Sequence, residues 1–332
     1  MVHVSSFVFA VALALFVSLS LTCLLSVSYG HNTATNGDFR PVTCADFDKR
    51  VKQIDSDFFA HGHSKGVFRA LLDGSIDVVV KRPIGAFLSS KFDEAVDAFT
   101  KELEKISYLG PHPGVARVYG GCVGDKVPPE RLALIGDSLE TWWRHIEGEQ
   151  PWCVRVFTAL SIVETLNFWT QKHAMHCGLD RGQFAFDEDG RAVLIDYGGF
   201  RIHEANDFPL FADLPCKVDS DCVFDCGKDS WRPAAGAPML TEFSCGKHNH
   251  CAGVDQRFDM YIVCVGMFRP LLDPKQLRAR GAAHAADIEE FLDGCALPDR
   301  NERWSIAKSH EWLIDFLKKN NGTSCLRENN KA

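Results

Sequence analysis

The chain has 332 residues, of which 46% are hydrophobic and 24% charged, a composition that excludes disordered, collagen-like and coiled-coil proteins. Its net charge of −8 argues against general binding to nucleic acids or anionic membranes. The thirteen cysteines are unusual, because reducing compartments seldom sustain so many without metal. Cys23 lies among the first thirty residues, and an even number of twelve follows.

The first thirty residues have the pattern of a targeting segment. They contain no Lys, Arg, Asp or Glu, and a nearly unbroken apolar run from Phe7 to Val27 ends in the triplet 28–30. We predict a signal peptide that is cleaved after Gly30. The 21-residue run is also long enough to cross a bilayer, which leaves a retained type II signal-anchor as the alternative. Either outcome places the remainder in the lumen of the endoplasmic reticulum or Golgi, or outside the cell, and the N-glycosylation sequon at 321–323 fits that location.

A small sheet packed with one helix is predicted for residues 61–137, after an N-terminal segment at 31–60. Runs rich in apolar and β-branched residues flank Asp73-Gly74, which is a hairpin signal. Apolar residues then recur at helical spacing over 92–109. The predicted strands are 67–72, 76–81, 115–119 and 132–135.

A larger and mainly helical region is predicted for residues 138–325. It contains one more hairpin, at 183–196. Residues 204–252 hold five cysteines among glycine, proline and aspartate, which indicates a disulfide-rich insertion. The predicted helices are 152–173, 259–272, 283–292 and 303–317. The predicted fold class is therefore α+β, with a small β-rich lobe followed by a larger helical lobe.

The order of three charged residues along these elements resembles that of a protein kinase. Lys81 ends a β-branched strand, an acidic helix carrying Glu102 follows, and the Asp-Tyr-Gly run at 196–198 comes directly after a later strand. The resemblance extends over residues 62–317 and implies a two-lobed protein-kinase-like fold. It also implies that Lys81 and Glu102 contact the phosphates of a nucleotide and that Asp196 holds a divalent metal ion.

The segment at the position of the kinase catalytic loop departs from the family pattern. Kinases have an aspartate base, followed by an asparagine that binds magnesium. Here Gly178 takes the base position and Gln183 takes the metal position. Asp180 lies two residues beyond the base position, and we take it as the candidate replacement base. The alternative is that Asp180 caps a turn or forms an ion pair with Arg181.

Other features narrow the resemblance to one family. The glycine-rich loop is reduced to Gly62, Gly66 and Val67, which the resemblance places beside the nucleotide. The lumenal signal, the Asp-Ser-Asp-Cys run at 219–222 and the Gln-Phe-Ala run at 183–185 are further points of likeness. Together they resemble the divergent protein kinase domain (DIPK) family, a group of cysteine-rich, kinase-like proteins of the secretory pathway.

This resemblance implies ATP with Mg or Mn as cofactor, and phosphotransfer to a lumenal or extracellular protein or glycan. Asp259 would brace the catalytic loop, as the aspartate that opens the central helix of the large kinase lobe does. One alternative is a catalytically inactive pseudokinase that acts as a secreted or lumenal binding or signalling module, which Gly178 favours. Another is a different transfer reaction on the same nucleotide. No nucleic-acid partner is expected, and membrane contact is expected only through an N-terminal anchor.

Three of these positions have ordinary structural alternatives. Lys81 also fits a strand-end lysine without a ligand, and the run 196–198 also fits a strand-ending turn. Glu104 competes with Glu102 for the role on the helix, although Glu102 fits the apolar register better.

The cysteines leave alternatives as well. Cys245 and Cys251, with the histidines between them, have the spacing of half a zinc site. Disulfides are favoured in an oxidising lumen, but their pairing does not follow from the sequence. Cys177 is either a reactive thiol or, as the even cysteine count favours, part of a disulfide that restrains the loop.

Overall fold

The computed structural model describes residues 40–62, 64–124, 126–128, 131–141, 150–176, 179–202, 212, 214–222, 240–246, 249–279 and 284–322. The predicted targeting segment, most of the cysteine-rich insertion, Cys177, Gly178 and the last residue of the sequon lie outside these residues. From Val42 onward the described residues belong to one compact unit.

Within the described residues, six strands form an antiparallel sheet with the order β1-β3-β4-β6-β5, in which β2 also pairs with β3. The strands are β1 (Val51–Gln53), β2 (Ala60–His61), β3 (Lys65–Leu72), β4 (Ile76–Pro83), β5 (Val118–Cys122) and β6 (Ala133–Asp137). The predicted hairpin is confirmed: β3 and β4 pair along their whole length, with Val67 opposite Lys81. Asp73 and Gly74 have φ values of 51° and 79°, the left-handed backbone that this tight turn requires.

The sheet includes residues that precede the predicted boundary at residue 61. A short helix, α1 (Phe47–Arg50), leads into β1, and Phe47 and Val51 are buried in one apolar cluster with Leu72. Because these apolar residues are isolated in a polar stretch, no sequence periodicity marks them as part of the core.

The strand expected at 115–119 lies three residues later, as β5. Val115 forms an isolated bridge with Leu194, and the backbone nitrogen of Ala116 donates to the carbonyl oxygen of Leu194 at 3.0 Å. The residues before β5 therefore connect the sheet to the second hairpin instead of extending the strand.

The helix predicted at 92–109 is confirmed as α2 (Phe92–Leu109). Val96 and Phe99 on its buried face pack in one cluster with Leu134 of β6. Gly110 follows the helix with a φ of 73°, a left-handed conformation that is common just after a helix C terminus.

The second part of the chain surrounds a long helix, α3 (Trp152–Gln171), which confirms the helix predicted at 152–173. Two small antiparallel sheets lie beside it, and the hairpin predicted at 183–196 is confirmed within them. Their strands are β7 (Glu140–Thr141), β8 (Ala174–His176), β9 (Phe184–Phe186), β10 (Ala192–Leu194) and β11 (Phe200–Ile202). β9 pairs with β10 and β7, and β8 pairs with β11.

The C-terminal part is helical, as predicted. Its helices are α4 (Gln256–Val263), α5 (Arg269–Leu271), α6 (Pro274–Ala279), α7 (Ala285–Cys295) and α8 (Ile306–Lys319). A π-helical turn at Cys264–Phe268 separates α4 from α5, where one continuous helix was expected. Because α8, β8 and β10 all pack on α3, that helix is buried on most of its sides.

Four disulfides lie wholly within the described residues. They are Cys44–Cys122, Cys216–Cys245, Cys222–Cys251 and Cys264–Cys295. Cys153 is disulfide-bonded as well. The prediction of disulfides in the insertion is thus confirmed for these cysteines, and Cys245 and Cys251 are not thiolate ligands for zinc.

The described chain is therefore a mixed α+β protein, in which an antiparallel sheet with one long helix is followed by a mainly helical region. None of its described helices combines the length and the apolar character needed to cross a membrane.

Candidate functional site

A buried carboxylate on α2 meets a lysine from the sheet. Glu102 follows Phe99 by three residues on the buried face of the helix, and only 1% of its surface is exposed. Lys81, on β4, donates from Nζ to Glu102 Oε1 at 2.7 Å. The structure thus brings together two of the residues predicted to bind nucleotide, whereas the competing Glu104 is exposed.

A second lysine shares the same carboxylate, and it was not among the predicted site residues. Lys65 begins β3 two residues before Val67, which pairs with Lys81. Because alternate residues of a strand lie on one face, Lys65 and Lys81 are on the same face of the hairpin. The Nζ atom of Lys65 donates to Glu102 Oε2. The placement of Lys65 beside Lys81 could have been predicted from the hairpin register around Asp73, since the register fixes which residues of the two strands are neighbours.

These charges keep one another ionised. Burial raises the pKa of Glu102, but the positive charges of Lys81 and Lys65 outweigh burial, so that its pKa lies below the usual value. Burial lowers the pKa of Lys81, but the negative charges of Glu102 and Asp196 outweigh it and raise the pKa. Lys81 and Glu102 are therefore both charged at neutral pH.

Asp196 follows β10 closely and is electrostatically coupled to both lysines. Lys81 Nζ donates to the carbonyl oxygen of the preceding residue, Ile195, at 2.5 Å. The carboxylate Oδ1 of Asp196 accepts a hydrogen bond from the backbone nitrogen of Gly198 at 2.9 Å. Burial opposes its ionisation, but Lys65 and Lys81 outweigh burial and lower its pKa. The structure therefore places the ionised Asp196 directly after a backbone carbonyl that is bonded to Lys81 of the Lys81–Glu102 pair.

Helix α2 and a buried tyrosine hold the backbone that carries Asp196. Lys105 donates from Nζ to the carbonyl oxygens of Tyr197 and Gly198, at 3.1 and 3.0 Å. Tyr197 is only 1% exposed, and its hydroxyl donates to the carbonyl oxygen of Leu194 at 2.9 Å. A tyrosine in the Asp-Tyr-Gly run thus has a hydrogen-bond partner inside the protein, as a buried hydroxyl needs.

Two buried residues fix the chain on the other side of Asp196. His176 Nε2 lies 3.2 Å from the carbonyl oxygen of Asp196, and because a carbonyl only accepts, this nitrogen carries the proton. Burial lowers the pKa of His176 to about 4, which keeps the ring neutral at pH 7. Asp259 Oδ2 accepts from the backbone nitrogen of His176 at 2.8 Å. This contact joins α4 to the last residue of β8.

Asp180 and Gln183 are engaged with each other in a single helical turn. Asp180 Oδ1 accepts from the backbone nitrogen of Gly182 at 2.6 Å, and Gln183 Oε1 accepts from the backbone nitrogen of Asp180 at 2.6 Å. These reciprocal bonds form a capping box. Asp180 is exposed to solvent. These contacts are the ones expected if Asp180 caps a turn, which is the alternative to its role as a replacement base.

The three residues of the reduced glycine-rich loop lie in different surroundings. Gly62 is exposed, at the turn between β2 and β3. Gly66 is buried, and a Cβ there would come within 2.8 Å of Ile84 Cγ2 and 3.2 Å of Phe58 Cβ, so close packing requires a glycine. Only Val67 of the three lines the cavity described next.

A cavity of about 100 Å³ lies between the sheet and the β9–β10 hairpin, with the ion pair in its wall. Lys81, Glu102 and Val67 contribute to its lining, and Asp196 follows the lining residue Ile195. Most of the remaining lining is apolar and includes Val79, Ile106, Leu134 and Ala185. Small-molecule sites are commonly about 300–1,000 Å³, so the volume of this cavity is too small for a nucleotide.

No protein-family model matches the chain, and no curated protein matches it. The described fold and site together define a mixed α+β protein in which three elements, β4, α2 and the end of β10, converge on a lysine–glutamate–aspartate cluster.

The donor set fits a hard divalent cation at Asp196 better than at Gln183. Ions such as Mg²⁺ prefer ionised carboxylate oxygens. Asp196 is ionised, and among the described residues its carboxylate accepts one hydrogen bond, at Oδ1. Gln183 Oε1 is already bonded to Asp180 N and has only its second lone pair to offer. Asp196 is thus the residue here that would hold the ion.

Proposed function

We propose that this chain is a kinase-like protein of the secretory pathway that binds ATP together with a divalent cation, Mg or Mn. The observation that carries the proposal is the meeting of Lys81, Glu102 and Asp196, which come from separate elements of the chain. Phosphotransfer to a lumenal or extracellular protein or glycan is the activity that such a site would serve.

The chemistry of nucleotide phosphates supports this proposal. Phosphates need a cation held in a fixed place, and Lys81 is held by a buried carboxylate on one side and by a carbonyl oxygen on the other. A divalent ion, when bound, bridges phosphate oxygens and neutralises their charge. Asp196 would hold that ion, because it is an ionised carboxylate beside the lysine.

The apolar cavity supports the same proposal for the base of the nucleotide. Its walls, with Val67, Val79 and Leu134 among them, offer the flat apolar surroundings in which an aromatic base binds. At about 100 Å³ the cavity is smaller than a nucleotide site. Binding therefore requires the sheet to move away from the β9–β10 hairpin, as lobes and loops commonly do around ligands.

The disulfides support the proposed location. Four of them lie within the part of the chain that the structure describes. Such a density is usual in the oxidising lumen of the secretory pathway and rare in the cytosol.

Thermal unfolding with and without ATP and Mg²⁺ tests the proposal. ATP at about 100 times its Kd adds about 2.7 kcal/mol of stability, which raises the Tm by about 4 °C for a chain of this size. Lys81→Met should abolish the shift. Lys101→Met is the matched control, because Lys101 precedes Glu102 on α2 but is 60% exposed, and among the described residues its ion pair is with the exposed Asp97. Absence of a shift in the wild type, or an unchanged shift in Lys81→Met, contradicts the proposal.

One observation favours a second candidate, a pseudokinase that binds nucleotide without transferring phosphate. The base position is Gly178 in the sequence, and the nearby Asp180 is committed to capping its turn. A test is incubation of wild type and Gly178→Asp with labelled ATP and Mg²⁺. Phosphate release or transfer by the wild type argues for the enzyme. Nucleotide binding without turnover argues for the pseudokinase, and turnover gained in Gly178→Asp would locate the loss at the missing base.

A further inference from the structure

The two lysines that share Glu102 have different surroundings. Lys81 Nζ donates to two acceptors, Glu102 Oε1 at 2.7 Å and the carbonyl oxygen of Ile195 at 2.5 Å, so it links α2 to the end of β10. Lys65 Nζ donates to Glu102 Oε2 and lies 5.1 Å from the centre of the Phe99 ring. An ammonium group has three protons to donate, and the described hydrogen bonds of Lys65 use one.

Lys65 is also placed where a phosphate would approach the site. It is the first residue of β3, directly after the short turn from β2, while Val67 on the same strand lines the cavity. The side chains of Lys65 and Lys81 are 16% and 19% exposed, whereas that of Glu102 is 1% exposed. Lys65 therefore joins the buried carboxylate to the accessible end of the hairpin.

We infer that Lys65 is a second phosphate-binding residue of this site, beside Lys81, which also positions Glu102 and the backbone before Asp196. The inference rests on the proposed ATP binding and extends it, since the phosphates would be held by two lysines on neighbouring strands.

Calorimetric titration of ATP with Mg²⁺, and of adenosine, tests this role. Lys65→Met should weaken ATP binding about tenfold or more, because a charge-assisted hydrogen bond to phosphate is lost, and should leave adenosine binding unchanged. Lys65→Arg, which keeps the charge, should recover most of the affinity. Lys101→Met should bind ATP as the wild type does. Equal ATP affinity in wild type and Lys65→Met overturns the inference.

A double-mutant cycle separates phosphate binding from a purely structural role. In a Glu102→Gln background, Lys65 no longer has a carboxylate to neutralise. If Lys65 contacts phosphate, Lys65→Met weakens ATP binding further in that background; if it only neutralises Glu102, the second substitution has no further effect, which overturns the inference. If wild-type protein binds no ATP, the proposed function fails together with the inference. If the wild type binds ATP and Lys65→Met binds it with the same affinity, the inference fails and the proposed function stands.

Discussion

The carboxylate of Glu102 is almost fully buried and accepts a hydrogen bond from a different lysine on each oxygen. Such an arrangement contributes modestly to net stability when complete, because burying charges costs desolvation energy. Removing one member is costly, since the remaining charges stay buried without their partner. At the scale of single residues, the site therefore depends on this acid.

Glu102→Gln should lower the free energy of unfolding by about 3 kcal/mol and reduce ATP binding, because an amide of nearly the same shape cannot neutralise two lysines. Urea denaturation followed by circular dichroism measures the first effect. Glu104→Gln, two residues along the same helix and exposed, is the matched control and should leave stability unchanged. Equal unfolding midpoints for the two variants would show that the buried ion pairs are not formed in solution.

His176 gives the protein a pH dependence of its own. Burial lowers its pKa from 6.5 to about 4, so between those values the unfolded chain binds more protons than the folded chain. The contribution of His176 is therefore fully present above pH 6.5 and is lost as the pH falls toward 4. Between pH 6.5 and 5 the loss amounts to about 2 kcal/mol.

Urea denaturation at a series of pH values from 5 to 7.5 measures this effect. That range lies above the unfolded pKa values of Glu102 and Asp196, 4.5 and 3.8, below which the stabilising effect of those carboxylates is lost. His176→Gln should reduce the slope of the profile without abolishing it, because burial also lowers the pKa of His112 to about 4. Replacement of the exposed His61 should leave the slope unchanged. Profiles of equal slope in the wild type and in His176→Gln would contradict a buried neutral His176.

At the scale of the elements, helix α2 organises the site. Glu102 and Lys105 are three residues apart, so one helical face supplies both the carboxylate for the lysines and the ammonium that holds the carbonyls of Tyr197 and Gly198. The bounds of α2 followed from the sequence, because its apolar residues recur at helical spacing. The displacement of β5 did not, because the pairing of Val115 with Leu194 involves residues distant in the chain.

The disulfide Cys44–Cys122 should be the main covalent support of the sheet. It closes a span of 78 residues and joins the segment before α1 to the end of β5. A paired replacement, Cys44→Ser with Cys122→Ser, should lower the free energy of unfolding by about 4 kcal/mol, because the unfolded chain regains the freedom of that loop. Urea denaturation under non-reducing conditions measures the change. Identical midpoints in wild type and variant would show that the bond does not constrain the unfolded chain.

At the scale of the whole molecule, the resemblance of the element order to that of a protein kinase implied that Lys81, Glu102 and Asp196 lie near one another, since Lys81 ends a recognisable strand, Glu102 lies on a periodic helix and Asp196 follows another strand. Lys65 was not among the predicted site residues because its contact with Glu102 depends on the hairpin register and on how α2 packs on the sheet, which are tertiary features. Gly66 was assigned to a nucleotide on its residue type, whereas its surroundings show a packing requirement from Ile84. The role of Asp180 also could not be predicted from the sequence, because an aspartate that caps a turn and one that acts as a base have the same carboxylate.

The most direct test of the central claim is the affinity of the wild-type protein for ATP with Mg²⁺ and with the metal chelated. If Lys81, Glu102 and Asp196 form a phosphate and metal site, chelation should weaken ATP binding about tenfold or more, and Asp196→Asn should remove most of that metal dependence. Glu188→Gln, an exposed acid in the β9–β10 turn, should retain it. Absence of ATP binding, or binding of equal strength with and without metal in wild type and Asp196→Asn, would contradict the account.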